Sequence, residues 1–136
     1  MNNRRFPEQG YTCVITQNGK AVFSSTESGI KPLISVLESR QDVKGCFAYD
    51  KIVGKAAALL YAYMGVEAVF ADVMSKDGLA VLQNSGLKAE YNILTDRIIN
   101  RKGTDICPME KAVEHIGDPA QALSAVKEKL NQLAGL

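Results

Sequence analysis

The sequence contains a single histidine, His115, and three cysteines, Cys13, Cys46 and Cys107, with no CxxC pair among them. Such an odd, widely spaced set suggests neither a disulfide framework nor a thiolate metal knuckle, and it suits a reducing compartment. An excess of one charge is also missing. The formal net charge is +1, so no polybasic footprint for nucleic acid is present. Long apolar runs are lacking too: the charge-free stretch Ala56 to Val66 is too short to span a bilayer. Met1 to Phe6 carries two arginines without the apolar segment of a secretory leader behind them. From these lacks the expectation is a cytoplasmic protein with neither nucleic acid nor membrane as partner, and with no metal or other cofactor.

What is present is the making of one ordinary globular domain. The 136 residues, 46% of them hydrophobic, suffice for a core without staples. Tyr11 to Gln17 and Ala21 to Ser25 are rich in β-branched and aromatic residues, and Asn18-Gly19 between them signals a hairpin. Ile30, Leu33, Ile34 and Leu37 recur at helical spacing, which predicts a helix over 30–39. "KGCFAYD" reads as a strand, and a helix from about Ile52 to Met64 follows, stopped by Gly65. The nearly continuous apolar run "VEAVFADVMS" suits a strand covered on both faces. A helix over 78–85, a strand "KAEYNIL", a polar loop over 95–106, a helix from Pro108 to about Ile116 and a last helix opened by Asp118-Pro119 complete the chain. Helix-separated strands pair in parallel through right-handed crossovers. The expected fold is therefore a three-layer α/β/α sandwich over residues 1–136, with its core at about 11–94 and a C-terminal loop and helices over 95–136.

This element order resembles the cytidine deaminase-like superfamily. Its enzymes place a zinc-binding H-x-E at the start of the first core helix and P-C-x-x-C at the start of the second, with the Glu shuttling protons for a zinc-bound water. The matching stretches here, "STESGIKPL" and "YDKIVGKAAA", carry neither motif. Glu27 resembles the shuttling Glu by location, but without zinc it has no assigned task. More closely, "SGIKPL", "DKIVGKAAALLYA" and "NRKGTDICPME" resemble an uncharacterised family of small bacterial and archaeal proteins that keeps this fold without its zinc signature. The resemblance implies the fold and no zinc-dependent deamination.

Ligands of open α/β sheets bind beyond the carboxyl ends of the strands, at helix starts. "DKIVGK" occupies such a place. Free N–H groups at a helix start attract an anion, Gly54 allows close backbone approach, and Lys51 and Lys55 each suit a phosphate or carboxylate. Without an anion each lysine loses about 0.3–1 kcal/mol to the helix dipole, and their i,i+4 repulsion adds a few tenths. A P-loop is rejected, since Tyr49 stands where its first Gly belongs and Ala56 replaces the magnesium-holding Ser or Thr. The plainer alternative is that Asp50 caps the helix and pairs with one lysine.

Two further groups carry chemistry. Cys107-Pro108-Met109-Glu110 reads as a capping box with sulfur in place of a hydroxyl, so that the helix dipole would favour the Cys107 thiolate. The plain alternative is a small residue at a helix entrance. The loop over 96–107 adds Arg97, Arg101 and Lys102, with Asn100 and Asp105 to orient a ligand, or else it is a solvated connection. The ligand-binding set is thus Ser28, Gly29, Asp50, Lys51, Gly54, Lys55, Asn100 and Arg101, and the catalytic set Cys107 and Glu110. Three functions compete: binding of a small anionic, nucleotide-like or phosphorylated ligand; a cysteine-dependent enzyme using Cys107; and a non-catalytic oligomeric scaffold. Because the helix Ala56–Met64 is apolar on nearly every side, a second subunit is expected to cover it, which makes a homo-oligomer.

Overall fold

A computed structural model describes residues 10–100 and 102–135; Arg4, Arg5 and Arg101 lie outside them. Strands β1 (Cys13–Gln17) and β2 (Lys20–Ser25) pair antiparallel. They are joined through Asn18 at φ 52° and Gly19 at φ 81°, left-handed positions that a two-residue hairpin turn demands. Helix α1 (Lys31–Ser39), strand β3 (Phe47–Val53), helix α2 (Lys55–Met64), strand β4 (Ala68–Ser75), helix α3 (Lys76–Asn84) and strand β5 (Lys88–Thr95) follow. The sheet order is β2-β1-β3-β4-β5, with β3, β4 and β5 mutually parallel. Helices α4 (Pro108–Ala112) and α5 (Pro119–Leu133) close the chain.

The direction of the strands decides where the helices go. β1 runs antiparallel to both β2 and β3, so β2, β3, β4 and β5 all point the same way. Successive right-handed crossovers between such strands put α1, α2 and α3 on one face. Leu33 and Val36 of α1, Ala58 and Leu59 of α2 and Leu82 of α3 accordingly share one buried cluster with Cys13, Ile15, Ala48 and Val69 of the sheet. Met109, Val113, Ala122 and Val126 join that cluster from α4 and α5. α5 packs on α2, and α4 touches both α2 and α5.

This stacking explains the composition of α2. Every residue from Ala56 to Tyr61 is buried. The cover that the sequence assigns to a second subunit is supplied by α5 of the same chain, so the apolar girth of α2 gives no ground for an oligomer.

A second difference concerns where α2 begins. The helix expected from about Ile52 starts at Lys55, because the β-branched pair Ile52-Val53 extends β3 and stays paired with Val73 and Met74 of β4. Asp50 and Lys51 therefore lie in the strand. Asp50 does not cap α2, and Lys51 and Lys55 do not form a like-charge pair on one helix. α4 is also shorter than expected, ending at Ala112 rather than near Ile116.

Candidate functional site

At the carboxyl end of β3 the chain turns through Gly54, which sits at the N-cap of α2 and has no side chain to satisfy the helix. The first N–H groups of the helix find a distant partner. Lys55 donates its backbone N–H to Glu110 Oε1 at 2.7 Å, and Ala56 donates to Oε2 at 2.8 Å. The anion that this helix start attracts is thus a side chain from α4. Gly54 is needed for space: a Cβ there would lie 2.2 Å from Glu110 Oε1 and 2.8 Å from Ile98 Cγ1. α3 closes against the same turn. A Cβ on Gly78 would meet the carbonyl groups of Gly54 and Val53 at 3.0 Å, and Ser75 Oγ accepts the Gly78 N–H at 3.0 Å.

Beside these closed helix starts lies a cleft of about 120 Å³. Lys55, Arg97 and Lys111 bring positive charge to its wall, and Asp77, Asp96, Glu110 and Glu114 bring negative charge. Lys55 Nζ donates to the carbonyl of Glu114 at 3.0 Å. Lys76 pairs with Asp96 at 2.8 Å and holds that carboxyl below the usual carboxylate range. Lys111 pairs with Asp105, which is likewise held low by that lysine and by the Ile106 N–H.

The loop over 96–107 folds back on itself through an Ile99–Ile106 bridge. Asn100 spends its groups on this turn, accepting the N–H of Thr104 at Oδ1 (3.1 Å) and the N–H of Gly103 at its carbonyl (3.0 Å). Of the residues expected to bind a ligand, Lys55 lines the cleft and Gly54 stands behind it. Ser28 and Gly29 are exposed at the entry to α1, and Lys51 is exposed in β3, where its N–H donates to the Thr12 carbonyl at 3.0 Å. Cys107, half-buried at the N-cap of α4, forms no side-chain cap. The capping box expected there is not formed, because the Glu110 carboxylate reaches across to α2 instead.

Asp50 belongs to a separate cluster on the inner face of the sheet. It is 5% exposed and accepts the Tyr61 hydroxyl at 2.6 Å, while Tyr61 Oη lies 3.4 Å from Cys13 Sγ. Burial pushes the Asp50 carboxyl up to about 7, against the pull of Tyr61 and of the Ile52 and Lys51 N–H groups. Burial also raises Tyr61 and Cys13, and the Asp50 charge adds to both. Neither Cys13 nor Tyr61 is singled out by the sequence, where each reads only as part of an apolar run. Asp77 and Asp96 were equally hidden, although the strand-end rule that points to Gly54 applies to the β4–α3 turn as well.

The zinc of deaminase enzymes needs three protein ligands at these helix starts. Here the start of α1 offers Glu27, Ser28 and Gly29, and the start of α2 offers Gly54, Lys55 and Ala56. His115 is exposed beyond the end of α4. This donor set does not fit the metal.

A family model described as TM1506, domain of unknown function (DUF1893), matches residues 2–130. The crystal structure of a DUF1893 family protein (TM1506) from Thermotoga maritima matches with a TM-score of 0.80 and 31% identity, covering 88% of this chain and 80% of that one. A diaminohydroxyphosphoribosylaminopyrimidine deaminase/5-amino-6-(5-phosphoribosylamino)uracil reductase from the same organism matches with a TM-score of 0.50 and 11% identity. That alignment covers 63% of this chain and 30% of the larger one. A dCMP deaminase from the cyanophage S-TIM5, in apo form, has a TM-score of 0.48 and 17% identity over 60% of this chain and 79% of that chain. No curated protein matches. The fold is deaminase-like: an α/β sheet with helices and a C-terminal helical extension.

Proposed function

The chain belongs to the DUF1893 family of domains of unknown function, and from that footing we propose that it is a zinc-independent deaminase-like protein that binds a small phosphorylated ligand in the cleft over β3, β4 and β5. The carrying observation is that Lys55, Arg97 and Lys111 gather at a cleft beyond the carboxyl ends of parallel strands. That is where open α/β sheets hold their ligands. The seat is not the α2 N-terminus, whose first N–H groups are engaged by Glu110. It is the cleft beside it, where Lys55, Arg97 and Lys111 stand among the acidic Asp77, Asp96, Glu110 and Glu114. At about 120 Å³ the cleft accepts a phosphoryl group with a few attached atoms, the rest of the molecule lying outside. Asp77 and Asp96, which also line the cleft, suit hydrogen-bond donors, such as the amino or hydroxyl groups of a nucleotide-like molecule.

Thermal-shift measurements with inorganic phosphate, nucleoside monophosphates and sugar phosphates test this reading. A ligand at a hundred times its Kd stabilises by about 2.7 kcal/mol, enough for a clear rise in Tm. Arg97→Ala should remove the rise. If no phosphorylated compound shifts the melting of the natural chain, or if Arg97→Ala leaves the shift intact, the reading fails.

A second reading, an oligomeric scaffold, draws on Phe47, Ile52 and Ile93, which are 39%, 52% and 56% exposed. Exposed apolar surface of this kind suits association, and light scattering after size exclusion would detect a homo-oligomer. The cysteine-dependent enzyme is less well supported, because the Glu110 carboxylate that would serve Cys107 is held at α2.

A further inference from the structure

Asp50, Tyr61 and Cys13 come from three different elements and meet inside the core. Cys13 lies opposite Asp50 across the β1–β3 pairing, and Tyr61 reaches down from the second turn of α2 to both. The groups facing Asp50 are few. From β1 it meets Cys13, from β4 the apolar Ala71, from α2 Tyr61, and its own strand neighbour Lys51 turns its side chain to solvent. Among the described residues Asp50 takes part in no ion pair. A carboxylate buried without a cation is held only by hydrogen bonds, and its charged form is disfavoured by the loss of water. The same geometry joins the sheet to α2, because Tyr61 bonds to both Asp50 and Cys13 across a seam made largely of alanines and leucines.

We propose that Asp50, Tyr61 and Cys13 form a proton-linked latch between the sheet and α2: the fold is most stable while Asp50 carries its proton and loses stability as the pH rises toward neutrality, because the cost of burying the ionised carboxylate without a cation exceeds what its stronger bond from Tyr61 returns. Burial raises the Cys13 and Tyr61 groups, so both keep their protons and Asp50 alone titrates. Its carboxyl sits near 7 in the folded chain and in the ordinary carboxylate range once exposed. Between those values the folded state binds one proton more than the opened state, and stability falls as the pH rises. Above about 7 both states are ionised and the dependence stops. The latch does not depend on what the cleft binds.

Urea unfolding of the full chain from about pH 4 to 9 tests the proposal. The unfolding constant of the natural chain is expected to rise by up to about tenfold per pH unit below 7 and then to level off. Asp50→Asn, a neutral mimic of the protonated acid, should lack that rise. An equal rise in both chains, or none in the natural one, overturns the proposal. Should Asp50→Asn not fold, carbon NMR of the Asp50 carboxyl in the natural chain decides instead. A midpoint near 7 supports the latch, and a midpoint in the ordinary carboxylate range overturns it. Hydrogen exchange then reads α2 itself, whose amides should open more readily over the same pH interval once intrinsic exchange rates are divided out; pH-independent opening of α2 also overturns it.

Discussion

Glu110 binds Lys55 through the backbone, not the charge: the carboxylate accepts the Lys55 N–H at 2.7 Å and, with its other oxygen, the Ala56 N–H at 2.8 Å. A residue of the C-terminal extension thereby caps a core helix 55 positions earlier in the chain. Removing it leaves two N–H groups without their acceptor at the positive end of α2. Glu110→Ala should lower stability by about 1–3 kcal/mol, and Glu110→Gln by less, since the amide keeps one acceptor oxygen. Urea denaturation measures both; an unchanged midpoint for Glu110→Ala would show that the cap contributes nothing.

Gly54 makes that approach possible. Gly54→Ala places a methyl group 2.2 Å from Glu110 Oε1 and 2.8 Å from Ile98 Cγ1, so the two elements must separate. The expected loss is about 1–3 kcal/mol, as for other overpacked sites. Adding Glu110→Ala to Gly54→Ala should cost less than the sum of the single changes, because one clash disappears with the carboxylate. Strict additivity in a double-mutant cycle would count against the close approach.

Tyr61→Phe separates packing from charge in the core. The ring is kept and only the hydroxyl that donates to Asp50 at 2.6 Å is lost. At pH 5 Asp50 is protonated in the folded chain, and the loss should be that of a neutral hydrogen bond, about 1 kcal/mol. Above pH 7 the bond is charge-assisted and the loss should grow to about 2–3 kcal/mol. The ratio of stabilities at the two pH values checks the sign.

Thiol labelling followed by mass spectrometry should resolve the three cysteines by burial. Cys13 and Cys46, at 0% and 2% exposure, react only as the chain opens, whereas half-buried Cys107 reacts first. Labelling of Cys13 in the native protein at the rate of Cys107 would contradict the placement of β1 in the core.

Lys51→Ala provides the control for the cleft. Lys51 lies in β3 away from the cleft wall, whereas Lys55 lines it. Any Tm rise caused by phosphate should survive Lys51→Ala and fall with Lys55→Ala; the reverse order would move the site back to the strand.

Much of this was legible along the chain. Asn18-Gly19 marks the hairpin by the left-handed angles it adopts. The apolar run of β4 marks a central strand, and the absence of thiolate and imidazole donors at the helix starts excludes the deaminase metal arrangement. The start of α2 was legible only to within a few residues, because Ile52 and Val53 fit a helix or a strand equally and their partners on β4 decide. Asp50 illustrates the same limit. Next to two lysines in sequence it reads as a cap or an ion-pair partner, and only strand alternation turns it inward toward Tyr61.

The sequence by itself determined the order of the elements and the parallel pairing of the helix-separated strands, and it pointed to the carboxyl end of those strands, because local propensity and strand direction are encoded in neighbouring residues. Tertiary structure alone decided what fills that end. The C-terminal extension folds over α2, covers the helix that would otherwise need a partner subunit, and delivers Glu110 to the N–H groups of Lys55 and Ala56. Contacts between residues 54 or 55 positions apart depend on how two helices pack, and no local pattern of residues records that.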